Sequence, residues 1–211
     1  MKQLFFGLLV CGLLAPTNLH AQTPTASAVQ SKVPPNPTES PAPNISAAHK
    51  YFTDVELVNQ NGEKLRFYSD LLKGKVVIIS SFMASCASAC PVKNRNLEKI
   101  QDAAGERLGK EAVILSITVD PLTDTPSRLK DYAKTYHAKP GWHFLSGKKE
   151  NVDWALYKIG QYFENKNDHV NIIVVGNETT GLWKKAFALA SSDELVKIFE
   201  SVINDKPADA K

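Results

Sequence analysis

"KVVIISSFMASCASACPVKNRNLEKIQDAAG", residues Lys75 to Gly105, changes character twice. Lys75 to Phe82 is a nearly unbroken apolar, β-branched run, the pattern of a strand buried on both faces. Pro91 and the residues after it carry Val92, Leu97, Ile100 and Ala104 at workable helical spacing, and Gly105 closes the segment. Proline inside a helix costs ~3 kcal/mol, so Pro91 is expected at the first helical position, with Cys90 as N-cap. Cys86 then lies in the loop leaving the strand. A buried strand, a short loop and a helix are the opening of a βαβ unit.

Working outward, "YFTDVELVNQNGEKLRFYS" reads as two alternating runs around Asn61-Gly62, a β-hairpin. Downstream, "EAVILSITV" is a second buried strand, and Thr125-Pro126 caps a helix running to about Tyr136. "GWHFLS" is a short strand, and "ENVDWALYKIG" a helix closed by Gly160. "HVNIIVVG" is a third buried strand, and "NETTG" turns it into "LWKKAFAL". Ser191, with Glu194 three residues on, starts the last helix, to about Ile203. This order predicts an α/β protein with a central mixed β-sheet flanked by helices and an N-terminal β-hairpin. A βαβ unit followed by a terminal hairpin and helix is the thioredoxin-like plan.

Before this domain, Lys2 and the apolar run Leu4 to Ala15 read as a secretory signal, with cleavage after Ala21. Residues 22–48 hold six prolines among small polar residues and read as a disordered linker. The expected organisation is a signal peptide over 1–21, a linker over 22–48, the folded domain over 49–205 and a disordered tail over 206–211. Such a chain is exported to the bacterial periplasm or cell envelope, where an uncleaved signal would tether it to the membrane. A formal charge of +3, without a basic block, argues against nucleic acid as a partner. A monomer is expected.

Signal removal takes away Cys11, and Cys86 and Cys90 become the only cysteines of the mature chain. Two cysteines cannot form the framework of a disulfide-stapled mini-domain, so the pair is free for chemistry. Cys-x3-Cys suits a disulfide, a redox couple or two thiolates on a soft metal, and the helix start favours thiolate at Cys90. An inert disulfide would close a loop too short to stabilise much.

Of the histidines, His49 borders the linker, His137 ends a helix where it can cap carbonyls, and His143 sits inside a strand. His169, beside Asp168, precedes a buried strand, and in a thioredoxin-like fold its loop meets the cysteine loop. Two sulfurs and one imidazole nitrogen suit copper or zinc, and Cu(I) accepts three ligands. Asp120 and Asp124 are candidates to orient this site or contact a partner. Trp142 and Trp154 are expected in the core, and Trp183 half-buried on a strand.

The chain resembles the SCO/SenC proteins, copper-binding assembly factors of cytochrome c oxidase, from about Tyr51 to Ile203. The carriers are Cys86-x3-Cys90-Pro91 after "VVIISSF", then "SITVDPLTDTPSRLKDYA", and Asp168-His169 before "VNIIVVGNETTG". The resemblance implies a thioredoxin-like fold with Cys86, Cys90 and His169 as ligands of one copper ion, Cu(I) or Cu(II). Asp120 and Asp168 would support the site or contact a partner. It also implies delivery of copper to the CuA centre of oxidase subunit II, or reduction of that subunit's cysteines. Another envelope copper or thiol protein is the alternative client. Ala84 and Ala87 depart from the family pattern, which has threonine and proline there. The competing activity is thiol–disulfide exchange or redox sensing by Cys86 and Cys90, for which His169 is dispensable.

Overall fold

The structure is a computed structural model that describes Pro34 and residues 46–207. The expected signal peptide, most of the expected linker and the end of the tail lie outside the described residues. Among the described residues, no helix is long and apolar enough to cross a membrane.

In chain order the elements are α1 (Ala47–Phe52), β1 (Glu56–Asn59), β2 (Lys64–Arg66), a π-helical turn (Phe67–Leu72), β3 (Val76–Phe82) and α2 (Ala89–Ala104). There follow β4 (Ala112–Thr118), α3 (Pro126–Thr135), β5 (Trp142–Ser146), α4 (Lys149–Lys158), β6 (Ile172–Asn177), β7 (Leu182–Phe187) and α5 (Ser192–Ile203). Seven strands form one sheet in the order β2-β1-β5-β4-β3-β6-β7. β3 pairs parallel with β4 and antiparallel with β6, so the sheet is mixed, as expected.

Every residue of β3 and β4 is buried, because both faces of the sheet are covered. Alternation along β3 sends Ile78 and Phe82 to the face under α2, α3 and α5. Val77 and Ile79 point to the opposite face, under α4 and the π-helical turn. Trp142 and Trp154 are core residues and Trp183 is half-buried, all as expected. β6 and β7 approach closely at Gly176, where any Cβ would strike the Trp183 ring.

Three local expectations are corrected. Residues 47 and 48, read as linker, and Tyr51 and Phe52, read as strand, are helical in α1. The Ser46 hydroxyl caps this helix at the His49 N–H, and Phe52 packs edge-on against Phe67. Six residues are too few to make a helix by propensity, so these tertiary contacts hold it.

Second, α2 begins at Ala89 with Ser88 as N-cap, which makes Cys90 and Pro91 the second and third helical residues. The first N–H groups of a helix have no intrahelical acceptor, so Pro91 loses nothing there.

Third, Val92 is not a core residue but half-exposed at 50 %. With this start, Cys90, Lys93, Asn94, Leu97, Gln101 and Ala104 form the inner face of α2.

Candidate metal centre

The carboxyl ends of the parallel strands β3 and β4 open on one edge of the sheet, where sites form in such folds. β3 delivers the cysteine loop to that edge. There the N–H of Cys86 donates to the Met83 carbonyl at 3.0 Å, and Cys90 enters α2 fully buried. β6, the antiparallel neighbour of β3, starts at the same edge, and the turn before it (Lys166–Asp168) presents His169. Strand order alone brings together residues 79 positions apart.

The Sγ atoms of Cys86 and Cys90 and a ring nitrogen of His169 lie within 4.8 Å of one another. Cys90 Sγ and His169 Nε2 are 3.6 Å apart. Two ligand atoms sharing one ion at ~2.0–2.3 Å stand roughly 3.5–4 Å apart, so the set fits one ion with little movement. Both cysteines are free thiols. His169 Nδ1 is 2.8 Å from the Lys166 carbonyl, which can only accept, so Nδ1 carries the proton. That leaves the lone pair of Nε2 facing the sulfurs, the orientation a metal ligand needs.

Two aspartates hold the frame. Asp120 accepts from Lys166 Nζ at 2.6 Å and so tethers the turn that carries His169. Burial opposes its charge, but the hydrogen bonds from Lys166 and Thr123 outweigh it and keep the carboxyl below its ordinary value. Asp124, fully buried, accepts from the Thr118 hydroxyl at 2.6 Å and the Ala84 N–H at 3.0 Å, which pins the start of the cysteine loop. Arg128 Nε lies 3.4 Å from its other oxygen. Asp168 has a different place: its side chain is exposed, outside this frame. His137 does not cap a helix but meets Glu98 Oε1 at 2.7 Å, and His49 pairs with Asp54 at 2.9 Å.

The electrostatics of the pair reverse the expectation. Burial pushes the Cys90 thiol up, against the opposing charge of Lys93. At Cys86 burial acts in the same sense but is overcome by hydrogen bonds from the backbone and thiol of Cys90 and from Ser88, and the thiol falls to about 6. The half-exposed Cys86 is therefore the thiolate and the nucleophile, and the fully buried Cys90 is the protonated reserve. Alkylation of the reduced protein with iodoacetamide should modify Cys86 first, with half-maximal rate near pH 6. Below that pH the thiolate and the rate are lost. A midpoint near 9, or first labelling at Cys90, would contradict this assignment.

Lys93 was not legible as part of the site. The signal was its spacing: three residues after Cys90, it shares that residue's helical face.

Residues 44–200 match the family described as SCO1/SenC. The SCO2-like protein of Rickettsia felis is 30% identical over 155 residues, covering 69% of this chain and 73% of that protein. A second SCO2-like protein, from Rickettsia conorii, is 37% identical over 110 residues, covering 52% of this chain and 51% of its own. Among solved structures, yeast Sco1 with copper bound superposes with a TM-score of 0.60 at 24% identity, covering 74% of this chain and 95% of that one.

Proposed function

Because this chain belongs to the SCO1/SenC family, we propose that it is a copper chaperone of the cell envelope that binds one Cu(I) through Cys86, Cys90 and His169. The observation that carries this reading is the convergence of two sulfurs and an oriented imidazole nitrogen within 4.8 Å. Soft thiolates favour Cu(I), and three ligands satisfy it, whereas zinc takes a fourth. The copper-bound crystal form of yeast Sco1 supports the same cargo.

Delivery follows from unequal exposure. Cys86 and His169 are half-buried at the rim while Cys90 is fully buried behind them. An incoming thiolate or imidazole of a client displaces the rim ligands first, and Cys90 lets go last. The client in this reading is the CuA centre of cytochrome c oxidase subunit II. The folded domain from α1 onward carries the activity, and the proline-rich segment before it spaces it from the membrane after export. A second reading, reduction of the client's cysteines, is favoured by the lowered thiol of Cys86 beside Cys90. The two activities are compatible, since a client site must be reduced before it accepts copper.

Anaerobic titration separates them. The reduced protein should bind one equivalent of Cu(I), and the disulfide form none. A reduced form that binds no copper would transfer the proposal to redox chemistry.

A further inference from the structure

We infer that the cleft between α1, the end of α4 and the edge strand β7 binds a fatty carboxylate, with its head on Lys158 and Lys185 and its alkyl chain against the apolar walls. The inference is independent of the copper reading. It concerns a second site, on the sheet face opposite α2.

The cleft has a volume of about 460 Å³, within the ~300–1,000 Å³ range of sites for small organic molecules. Val174 and Ile159, each 6 % exposed, form an aliphatic floor. β7 is the last strand of the sheet, and its half-buried Trp183 meets Phe52 of α1 at a ring separation of 5.5 Å. Those two rings already touch, which leaves no slot for a flat ring between them but a surface for a chain along them. Tyr51, 53 % exposed, ties α1 to α4 by donating its hydroxyl to the Lys158 carbonyl at 3.1 Å.

The rim of the cleft is cationic. Lys158 Nζ lies 4.7 Å from the centre of the Tyr51 ring and 4.5 Å from that of Trp154. A Cβ on Gly160 would stand 3.5 Å from Lys185 Nζ, so the second ammonium lies against the chain two residues past Lys158. Among the described residues no aspartate or glutamate lines the cleft, and none pairs with either lysine. Ring faces attract a cation only weakly, and burial still draws the Lys158 ammonium below its ordinary value. A carboxylate supplies the missing countercharge, and its alkyl chain covers the apolar floor. Charge and apolar surface thus match one amphiphilic anion. A neutral alcohol of the same length lacks the first match, and a cationic amphiphile opposes it.

The test titrates the full chain with decanoate below its micelle concentration, followed by calorimetry and by tryptophan fluorescence. Decanol and decyltrimethylammonium serve as the neutral and cationic controls. The wild type should bind decanoate about tenfold or more tightly than either control. The double variant Lys158→Gln/Lys185→Gln should lose about tenfold or more in decanoate affinity, because each side chain then offers a neutral donor in place of a charged one. It should melt as the wild type does, since neither lysine is a core residue. Trp183→Phe keeps an apolar wall and should retain calorimetric binding while losing most of the fluorescence change, which places the ligand in this cleft. Equal decanoate affinity in the wild type and the double variant would overturn the inference, as would an unchanged fluorescence response in Trp183→Phe. Binding to anionic phospholipid vesicles without binding of monomeric decanoate would overturn it and assign the cleft to a membrane surface. Binding of neither would overturn it and leave the cleft to the chain's own proline-rich segment or to a second copy.

Discussion

A Cys90→Ala protein is expected to lose stoichiometric Cu(I) binding while keeping its fold. Cys90 supplies one of two sulfurs, and its Sγ lies 3.6 Å from His169 Nε2, at the centre of the proposed site. Losing a partner outside the ligand set typically costs 10–100-fold in metal affinity. Losing a ligand should exceed about 100-fold on the same scale, because a soft ion then keeps one thiolate and one imidazole. The structural cost is small by comparison: one buried sulfur among apolar neighbours is worth on the order of 1–2 kcal/mol. His169→Ala leaves both thiolates, and its loss should be the smaller of the two. Competition titration reads the affinities and a thermal melt reads the fold. Wild-type Cu(I) affinity in Cys90→Ala would remove Cys90 from the ligand set.

The second large effect is on stability. Asp124→Ala should lower it by about 2–4 kcal/mol, because the Ala84 N–H and the Thr118 hydroxyl lose a buried charged acceptor. In a domain of this size that corresponds to a fall of roughly 4–16 °C in Tm. Ala84 stands two residues before Cys86, so the cysteine loop should loosen and copper affinity drop in the same variant. Asp124→Asn retains one acceptor oxygen and should recover part of both losses. Urea unfolding and the copper titration report the two effects separately. A melting temperature within a degree or two of wild type would show that water or a side chain replaces the carboxylate.

The parts of the fold read correctly are those whose burial is uniform. β3, β4 and β6 are covered on both faces, so each is a continuous apolar run that no amphipathic helix imitates. Thr125-Pro126 and Ser191 mark helix starts by chemistry confined to one turn: their hydroxyls accept from Arg128 and Glu194 N–H groups. The start of α2 had no such mark. Proline is tolerated anywhere in the first turn, and Ser88 caps without a side-chain hydrogen bond. Leu97, Ile100 and Ala104 are buried as read, but the first turn differs by one position, about 100° of helix: Lys93 faces inward and Val92 outward.

The pairing of charges was equally out of reach. Asp120 and Asp168 look alike on paper, yet one clamps Lys166 and the other is exposed, because only the folded loops decide which carboxylate meets an ammonium.

Local chemistry therefore determined the element order, the mixed α/β class and the residues able to hold a soft metal. Tertiary structure decided how those residues behave. It set β6 beside β3 and so joined His169 to the cysteines. It buried Cys90 behind a half-exposed Cys86 and gave the lowered thiol to Cys86, where the helix start had pointed to Cys90. The reason is physical: solvation and charge at a thiol depend on everything packed around it, and residues distant in sequence, from Ser81 to His169, do that packing.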